Sequence, residues 1–248
     1  MSKIAIIGGT GLENPEFLKN TREQKINTPY GKPSSTFLSG KIHERDVILL
    51  SRHGRDHSIP PSQVNNKANI FAIKELGCSH IIATTACGSL REEIGRGDLV
   101  FPDQFIDFTR HRDITFFNKF EKGNLKHTPM AEPFSKDLRS VLIEGARELN
   151  LNYHKKGTVI TIEGPRFSSR AESKMFRLWG ADIINMSVTP EVILANELGI
   201  PYACIAMSTD YDSWKEDEDA VSWEEVLKVF EQNVDKVIQL IIQTLGKL

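Results

Sequence analysis

The strongest constraint on the fold is a regular alternation of short apolar runs with segments of helical periodicity. Several of these runs consist almost wholly of Ile, Val and Ala, which is typical of strands covered on both faces of a sheet. We predict strands at Lys3–Ile7, Ser35–Leu38, Asp46–Ser51, His80–Thr85, Asp98–Phe101, Gly157–Ile162, Asp182–Met186 and Tyr202–Ser208.

Four segments between and after these runs combine a 3.6-residue apolar period with signals for the start and end of a helix. The last of them opens with the capping box Ser222-Trp223-Glu224-Glu225. We predict helices at Gln63–Leu76, at Lys136–Leu149, from Thr189 to Gly199, and at Trp223–Leu245. Strands that alternate with helices, without an internal repeat or linker, predict one α/β domain over residues 1–248 with a central mixed sheet.

The composition excludes several classes of function. A net charge of −2 over 248 residues gives no field that would hold nucleic acid or an anionic membrane. No apolar run reaches about 18 residues, and the run before the first glycines is too short for a signal peptide. Three widely spaced cysteines form neither a disulfide framework nor a zinc site. We therefore predict a cytoplasmic protein with reduced thiols and no metal.

The turn Gly8-Gly9-Thr10-Gly11 directly follows the first strand. Glycines let backbone amides approach an oxyanion, and Thr10 adds a hydroxyl donor. A nicotinamide dinucleotide would require glycine at the position of Asn14, and an acidic residue at the end of a second strand about 20 residues later. Neither is present, so a dinucleotide is disfavoured, and a bound phosphate and a plain turn stay as alternatives.

The segment "SRHGRDHSIPP" places two arginines and two histidines directly after the strand at Asp46–Ser51. The planar guanidinium fork of Arg52 suits a phosphate, and His53 lies beside it at the strand end. For Arg55 and Asp56 a solvated loop is the favoured interpretation.

The segment "ATTACGSL" follows the next strand and is rich in small residues. Small side chains let backbone N–H groups face an anion, and Thr85 offers a hydroxyl donor. Cys87 lacks the His and Asn pattern of an acyl-transfer nucleophile, so we interpret it as a buried apolar side chain. In "TIEGPRFSSRAES", Phe167 could stack on a flat ring or pack in the core, and Glu163 and Arg166 could form a structural ion pair.

Asp210 and Asp212 come directly after the strand at Tyr202–Ser208, one residue apart. Side chains alternate along an extended chain, so we expect both carboxylates to point to one side. Such a pair suits a ligand with several N–H groups, or a general acid of raised pKa. Together with an anion site and an aromatic ring, it indicates a phosphate ion beside a nitrogen heterocycle, joined or split across a sugar.

Seven motifs carry a resemblance to a known family: "GGTGL", "SRHGRDH", "TTACGSLREEI", "PMAEPF", "TIEGPRFSSRAES", "NMSVTPE" and "STDYD". The chain resembles the trimeric purine nucleoside phosphorylase superfamily over nearly its whole length, and within it the members that act on 5′-methylthioadenosine. The resemblance implies a phosphorylase-type α/β fold with a distorted, barrel-like mixed sheet, and a homotrimer. It implies conversion of methylthioadenosine and phosphate to adenine and 5-methylthioribose 1-phosphate, with phosphate as a co-substrate and no cofactor.

The resemblance also implies roles for individual residues. The expected phosphate ligands are Thr10, Arg52, His53, Thr85, the Ala86 amide and Ser187. The expected substrate contacts are Met186 at the ribose, Phe167 and Ser168 at the base, Asp210, Tyr211 and Asp212 along the purine edge, and His57 at the 5′ substituent. The family lends the residue that matches His127 to the 5′ pocket of a neighbouring subunit. Ser168 and Trp223 are expected to influence specificity.

Asp210 is the expected proton donor to purine N7, with its pKa raised by burial and by Asp212. A carboxylate accepts from a 6-amino group and repels a 6-oxo group, so Asp210 favours an aminopurine over an inosine-type substrate. A nucleoside hydrolase would need no anion site, which the residues Thr10, Arg52 and His53 argue against. A nucleotide-sensing or NAD-binding module is the alternative outside the enzymes.

Three departures from the family pattern bear on the pocket. Ser187 stands where related sequences have threonine, and the hydroxyl is kept. Trp223 stands where a small aliphatic residue is expected at the edge of the sugar pocket, so it could narrow the 5′ site or simply cap the helix. The sequence ends at Leu248, before an additional helix of larger members, so a looser 5′ specificity is expected.

Overall fold

The computed structural model describes residues 3–9, 12, 17–218 and 221–248. Within these residues the chain forms eleven strands and five α-helices. The strands are β1 (Lys3–Gly8), β2 (Lys19–Gln24), β3 (Phe37–Ile42), β4 (Arg45–Ser51), β5 (Cys78–Ser89), β6 (Leu99–Val100), β7 (Gln104–Phe108), β8 (Tyr153–His154), β9 (Thr158–Ile162), β10 (Ile183–Asn185) and β11 (Tyr202–Asp210). The helices are α1 (Asn66–Glu75), α2 (Lys136–Glu148), α3 (Arg170–Leu178), α4 (Val188–Glu197) and α5 (Trp223–Leu245).

The strands form one mixed sheet in the order β2-β3-β4-β1-β5-β10-β9-β7. A second row of strands branches from this sheet at β5, in the order β5-β11-β6-β8. The centre is parallel, because β1 runs parallel to both β4 and β5, and β11 runs parallel to β5. The carboxyl ends of these four strands therefore meet at one edge, where open α/β sheets bind their ligands.

Strand β5 changes neighbours along its length. On one side it pairs with β1 as far as Ala83 and with β10 from Gly88 onward, while β11 pairs along its other side from Ile81 to Gly88. Among the described residues, the stretch 84–87 thus has a strand neighbour on one side only. This opening in the sheet is where the cavity described below lies.

The sheet is covered on both faces, as the apolar runs predict. In β1, Ala5 and Ile7 belong to the core packed against α1 and α4, and Ile4 and Ile6 belong to the core packed against α2 and α5. All four side chains are fully buried. Burial of each such Ile contributes about 1.5–3 kcal/mol, so the central strands are fixed firmly in place.

The α/β class, the mixed sheet and the flanking helices are confirmed. All eight predicted strands and four predicted helices are present; α5 has the predicted ends, and the other elements have shifted ends. Three strands and one helix were not predicted: β2, β7, β8 and α3. Strand β2, with sequence KNTREQ, is an exposed edge strand that carries no apolar signal. Helix α3 has only nine residues, and its capping box, formed by Ser169 and Glu172, was overlooked.

Candidate active site

One cavity of about 620 Å³ lies at the carboxyl ends of the central strands. Its wall includes Gly9 after β1, Arg52 after β4, the β5 residues 85–88, and Thr209 and Asp210 in β11. The candidate residues predicted from the sequence lie on these same loops, because functional side chains collect at strand ends. The structure brings most of them together in this single cavity.

The cavity wall carries five of the groups predicted to bind phosphate. Arg52, His53, Thr85, Ala86 and Ser187 all line the cavity, and we refer to these five as the anion-binding set. The Thr85 and Ser187 hydroxyls lie 2.9 Å apart. Ser187 is the N-cap of α4, yet its side chain caps no helix N–H, so the hydroxyl faces Thr85 instead. The predicted ligand Thr10 lies outside the described residues.

The opening in the sheet frees backbone groups for this set. The Thr84 carbonyl points away from β11, because it accepts a hydrogen bond of 2.8 Å from Arg52 Nη1. Backbone groups alternate in direction along a strand, so the N–H of Ala86, two residues on, faces the same open side. A strand that lacks a neighbour at this point thereby presents an amide donor to the cavity.

Arg52 is buried, with 2% of its surface exposed, and pairs with the fully buried Glu191. Its Nε lies 2.5 Å from Glu191 Oε1 and its Nη2 lies 3.1 Å from Oε2. Burial lowers the pKa of Arg52, and the Glu191 carboxylate more than offsets this, so the net change is upward. Arg52 therefore stays charged beside the cavity.

A buried chain of hydrogen bonds supports the floor of this region. Thr161 Oγ1 donates to Asn185 Oδ1 at 2.7 Å, which orients the amide so that Asn185 Nδ2 donates to Thr85 Oγ1 at 3.3 Å. His53 Nδ1 lies 2.8 Å from the Ile59 carbonyl, which can only accept, so the proton is on Nδ1. The His53 ring is thereby oriented with Nε2 on the opposite edge.

The cavity wall also carries two carboxylates beside Gly88, Asp210 and Asp212, which we call the carboxylate pair. Burial raises the pKa of Asp210, and the charge of Asp212 adds to the rise, against hydrogen bonds from the Asp212 amide and Thr209. Burial also raises the pKa of Asp212, although Ser168 donates to both of its oxygens at 2.7 and 2.5 Å. Both groups thus bind a proton more readily than an exposed aspartate.

The pair converges for a reason other than the one predicted. Asp212 does not continue an extended strand: its φ is +49° and it opens a short 3₁₀ turn, Asp212–Trp214. The Asp212 N–H donates to Asp210 Oδ1 at 2.8 Å, which closes the bend. The two side chains face one cavity because the chain turns back. The prediction that both residues share a site therefore holds, but its reason, side-chain alternation along an extended strand, was wrong.

Aromatic rings form the mouth of the cavity. His57 stacks on His53 with ring centroids 4.8 Å apart, and Trp223, at the start of α5, lies 5.7 Å from His57. Phe167 also lines the cavity, with 36% of its surface exposed, so it is not a core residue. Met186 also lines the cavity.

Three of the predicted substrate contacts do not line the cavity. Ser168 is buried behind Asp212, and Tyr211 packs against Trp214 with Lys215 over its ring. His127 is exposed and makes an edge contact with Phe120. Ser168 can act on a ligand only through Asp212, and Tyr211 and His127 have no contact with the cavity of their own chain.

Two further interpretations are settled by the structure. Cys87 is buried in the cavity wall, and burial raises the pKa of its thiol well above the usual value, as expected for an inert apolar side chain. The suggested pair of Glu163 and Arg166 is wrong, because Arg166 pairs with Glu172 and Glu163 pairs with Arg112. Among the described residues no cluster of three or more potential metal ligands is found, and no described helix has both the length and the apolarity to cross a membrane.

Comparison with known proteins identifies the family. The chain matches the phosphorylase superfamily over residues 3–246. The chain belongs to the phosphorylase superfamily. It is 54% identical to S-methyl-5′-thioadenosine phosphorylase of Xenopus tropicalis over 249 residues, which cover 99% of this chain and 89% of that protein.

Solved phosphorylase structures share the fold closely. Methylthioadenosine phosphorylase of Schistosoma mansoni in complex with adenine superposes with a TM-score of 0.93 at 41% identity, covering 99% of this chain and 91% of that one. A mutant of adenosine/methylthioadenosine phosphorylase from the same organism, in complex with methylthioadenosine, gives a TM-score of 0.92 at 41% identity, with the same coverage of both chains.

Two residues of the site in this phosphorylase were not predicted from the sequence: Asn185, which lines the cavity, and Glu191, which does not line it but holds Arg52. Asn185 precedes Met186 in the motif "INMSV", and a polar side chain at the end of an apolar run was the available signal. Glu191 was seen only as part of a helix start. Nothing local in the sequence indicates that it meets Arg52, because the two residues are far apart along the chain.

Gly88 offers a test of the carboxylate pair in this phosphorylase. A Cβ at Gly88 would lie 2.8 Å from Asp210 Oδ1, 3.0 Å from Ile184 Cγ2 and 3.2 Å from Asp212 Cβ, so Gly88→Ala must displace the pair. Displacing a catalytic group by about 1 Å costs up to about 10²-fold in rate. We expect the kcat/KM of Gly88→Ala to lie about 10²-fold below that of the wild type.

Gly95→Ala is the matched control, because its Cβ would meet Asp98 Oδ2 at an ordinary 3.5 Å. We expect it to keep the wild-type rate. Equal rates for the two variants in a steady-state assay would contradict a role for the pair in the reaction.

Proposed function

We propose that this protein catalyses the phosphorolysis of S-methyl-5′-thioadenosine to adenine and 5-methylthio-α-D-ribose 1-phosphate. The observation that carries the proposal is that the anion-binding set and the carboxylate pair line one cavity, the first beside Thr85 and the second beside Gly88, three residues further along β5. Such a cavity suits a phosphate and a nitrogen heterocycle with a pentose between them. The names of the similar proteins, and the methylthioadenosine bound in one of them, support the choice of nucleoside.

Phosphate is the co-substrate, and donors at one end of the cavity hold it. The proposed ligands are Thr10 together with the anion-binding set of Arg52, His53, Thr85, the Ala86 amide and Ser187. Charged and neutral donors together fix the orientation of the anion and supply the electrostatic stabilisation that is usually the largest contribution to catalysis. No further cofactor is part of the proposal.

The purine lies at the other end, beside the carboxylate pair and Phe167. Asp210 is the catalytic acid, and Asp212, held by Ser168, lies along the same purine edge, with Tyr211 between them in sequence. A carboxylate accepts a hydrogen bond from a 6-amino group, and this selects adenine over a 6-oxopurine. Ser168 influences specificity through Asp212 rather than by direct contact.

The sugar lies between the two ends. Met186 contacts the ribose, and His57 and Trp223 enclose the apolar 5′ substituent. A methylthio group suits such aromatic surroundings better than a hydroxyl group does, because burial of a hydroxyl without a partner is unfavourable. We further propose a cytoplasmic homotrimer in which His127 of a neighbouring subunit completes the 5′ pocket.

The reaction then proceeds in a defined order. The C1′–N9 bond breaks first, positive charge develops on the ribose ring, and the bound phosphate stabilises it before one of its oxygens bonds to C1′. The electron pair of the broken bond leaves with the purine, and Asp210 donates its proton to N7. A positioned acid of this kind contributes about 10²–10⁴-fold.

The test is to incubate the purified protein with methylthioadenosine, with and without inorganic phosphate, and to measure adenine by chromatography. We expect adenine only when phosphate is present. Release without phosphate would indicate a hydrolase, and turnover of methylthioinosine in preference to methylthioadenosine would contradict the assignment of the base.

A further inference from the structure

Glu191 is a buried charged group that the proposed reaction does not use. It lies on α4 with no exposed surface, and it is not part of the cavity wall. Its two oxygens take two hydrogen bonds from Arg52, and Oε2 also accepts one from the Tyr202 hydroxyl at 2.9 Å. A buried ion pair is on balance weak evidence for stability, so its presence beside a ligand cavity calls for another explanation.

The hydrogen bonds of Arg52 show what the pair achieves. A guanidinium has five N–H groups in a rigid plane. Three of them are used, two by Glu191 and one by the Thr84 carbonyl. Among the described residues none accepts a hydrogen bond from the remaining two. Because Arg52 also lines the cavity, a ligand there can accept them, in the plane that the three fixed bonds determine.

Tyr202 fixes the carboxylate in turn. Burial raises the pKa of Tyr202 well above its usual value, and the charge of Glu191 raises it further, so the hydroxyl keeps its proton and donates. Tyr202 itself is 1% exposed and packs in the core between the sheet and α4. A rigid aromatic side chain therefore holds Glu191, and Glu191 holds Arg52.

We infer that Glu191 is a positioning residue for anion binding: it orients Arg52, with Tyr202 as its second partner, so that the guanidinium meets the phosphate without rearrangement. The inference deepens the proposed function and rests on it for the identity of the anion. Without Glu191, a long arginine side chain would have to give up rotamer freedom when the anion binds.

The variant Glu191→Gln tests this inference with almost no change in shape. Its amide can still accept from Arg52 Nε, but it places an NH₂ group against Nη2, so one of the two bonds is lost. Hydrogen bonds to charged groups are worth about 1.5–3 kcal/mol, which corresponds to about 10- to 100-fold in affinity. We expect the KM for phosphate to rise by that factor, with the KM for methylthioadenosine changed far less.

Two further variants separate positioning from structural support. Tyr202→Phe keeps the ion pair and should raise the phosphate KM by a smaller factor. Asp182→Asn breaks the pair of Arg91 and Asp182 away from the cavity, and should lower Tm without any change in the phosphate KM. A Glu191→Gln protein with lower Tm and an unchanged phosphate KM overturns the inference. If that variant does not fold, an unchanged phosphate KM in Tyr202→Phe overturns it instead.

Binding is also measured without turnover, as the rise in Tm that inorganic phosphate produces. We expect a clear rise in the wild type and a reduced one in Glu191→Gln. A wild-type Tm that does not respond to phosphate overturns the inference. A wild type that binds phosphate but releases no adenine overturns only the proposed nucleoside substrate, and the comparison of Tm shifts still decides the role of Glu191.

Discussion

Asp210→Asn should lower kcat/KM for methylthioadenosine by about 10²–10⁴-fold, the range expected when a positioned acid is removed. The loss should be much smaller for methylthioinosine, because an amide can donate to the 6-oxo group that a carboxylate repels. The measurement is a steady-state comparison of both nucleosides at saturating phosphate. Equal losses on the two substrates would show that Asp210 does not select the base.

The same substitution should leave the fold intact. Asp210 accepts hydrogen bonds from the Asp212 amide and from Thr209 Oγ1, and an asparagine oxygen can keep the first of them. Thr209 Oγ1 can donate instead to the Cys87 carbonyl, 3.2 Å away, and accept from the new NH₂ group. The variant thus has a partner for each of its polar atoms.

The pH dependence of Tm adds an independent check. The pKa of Asp210 is raised in the folded state, so the folded protein holds this proton more tightly than the unfolded chain. Its stabilising contribution is present below the unfolded pKa, about 3.9, and is lost as pH rises through the folded value. Tm of Asp210→Asn relative to the wild type should therefore increase as pH rises from about 4 to neutrality.

Of the single substitutions proposed, Arg52→Met should cause the largest loss of stability, about 3–5 kcal/mol. It leaves the fully buried Glu191 charge without its main partner. For a chain of this size that corresponds to a fall in Tm of about 10 °C. Phosphate binding should be lost in the same variant. Thermal unfolding and phosphate-induced shifts of Tm measure the two effects.

The double variant Arg52→Met with Glu191→Met separates the loss of stability from the loss of phosphate binding. Replacing both members of a buried ion pair by apolar residues is often neutral or stabilising, so most of the lost stability should return. Phosphate binding should not return, since no guanidinium is present. If the double variant is as unstable as Arg52→Met alone, the uncompensated charge is not the cause of the instability.

The sequence was sufficient for the central strands and for the loops that follow them. Runs such as Lys3–Ile7 carry a strong signal because both faces of the strand are buried, and strand ends then indicate the site without further information. Edge strand β2 gave no such signal, because its side chains are exposed and its pairing with β3 is a matter of backbone hydrogen bonds.

The limits of the site prediction have a similar physical cause. Arg52 was identified by position and by chemistry, but its partner Glu191 is 139 residues away and only the folded chain brings them together. The convergence of Asp210 and Asp212 depends on a positive φ at Asp212, which no pattern of residue types indicated. Local patterns therefore identify residues that face a ligand more readily than those that hold them in place.

The opening in the sheet beside β5 has a consequence for how the fold and its ligand depend on each other. Where β1 ends and β10 has not yet begun, an oxyanion would occupy the place of a missing strand and satisfy backbone groups that a neighbour would otherwise satisfy. The substrate would then act as a temporary part of the architecture. A longer β1 that paired with β5 beyond Ala83 would fill the place proposed for the anion.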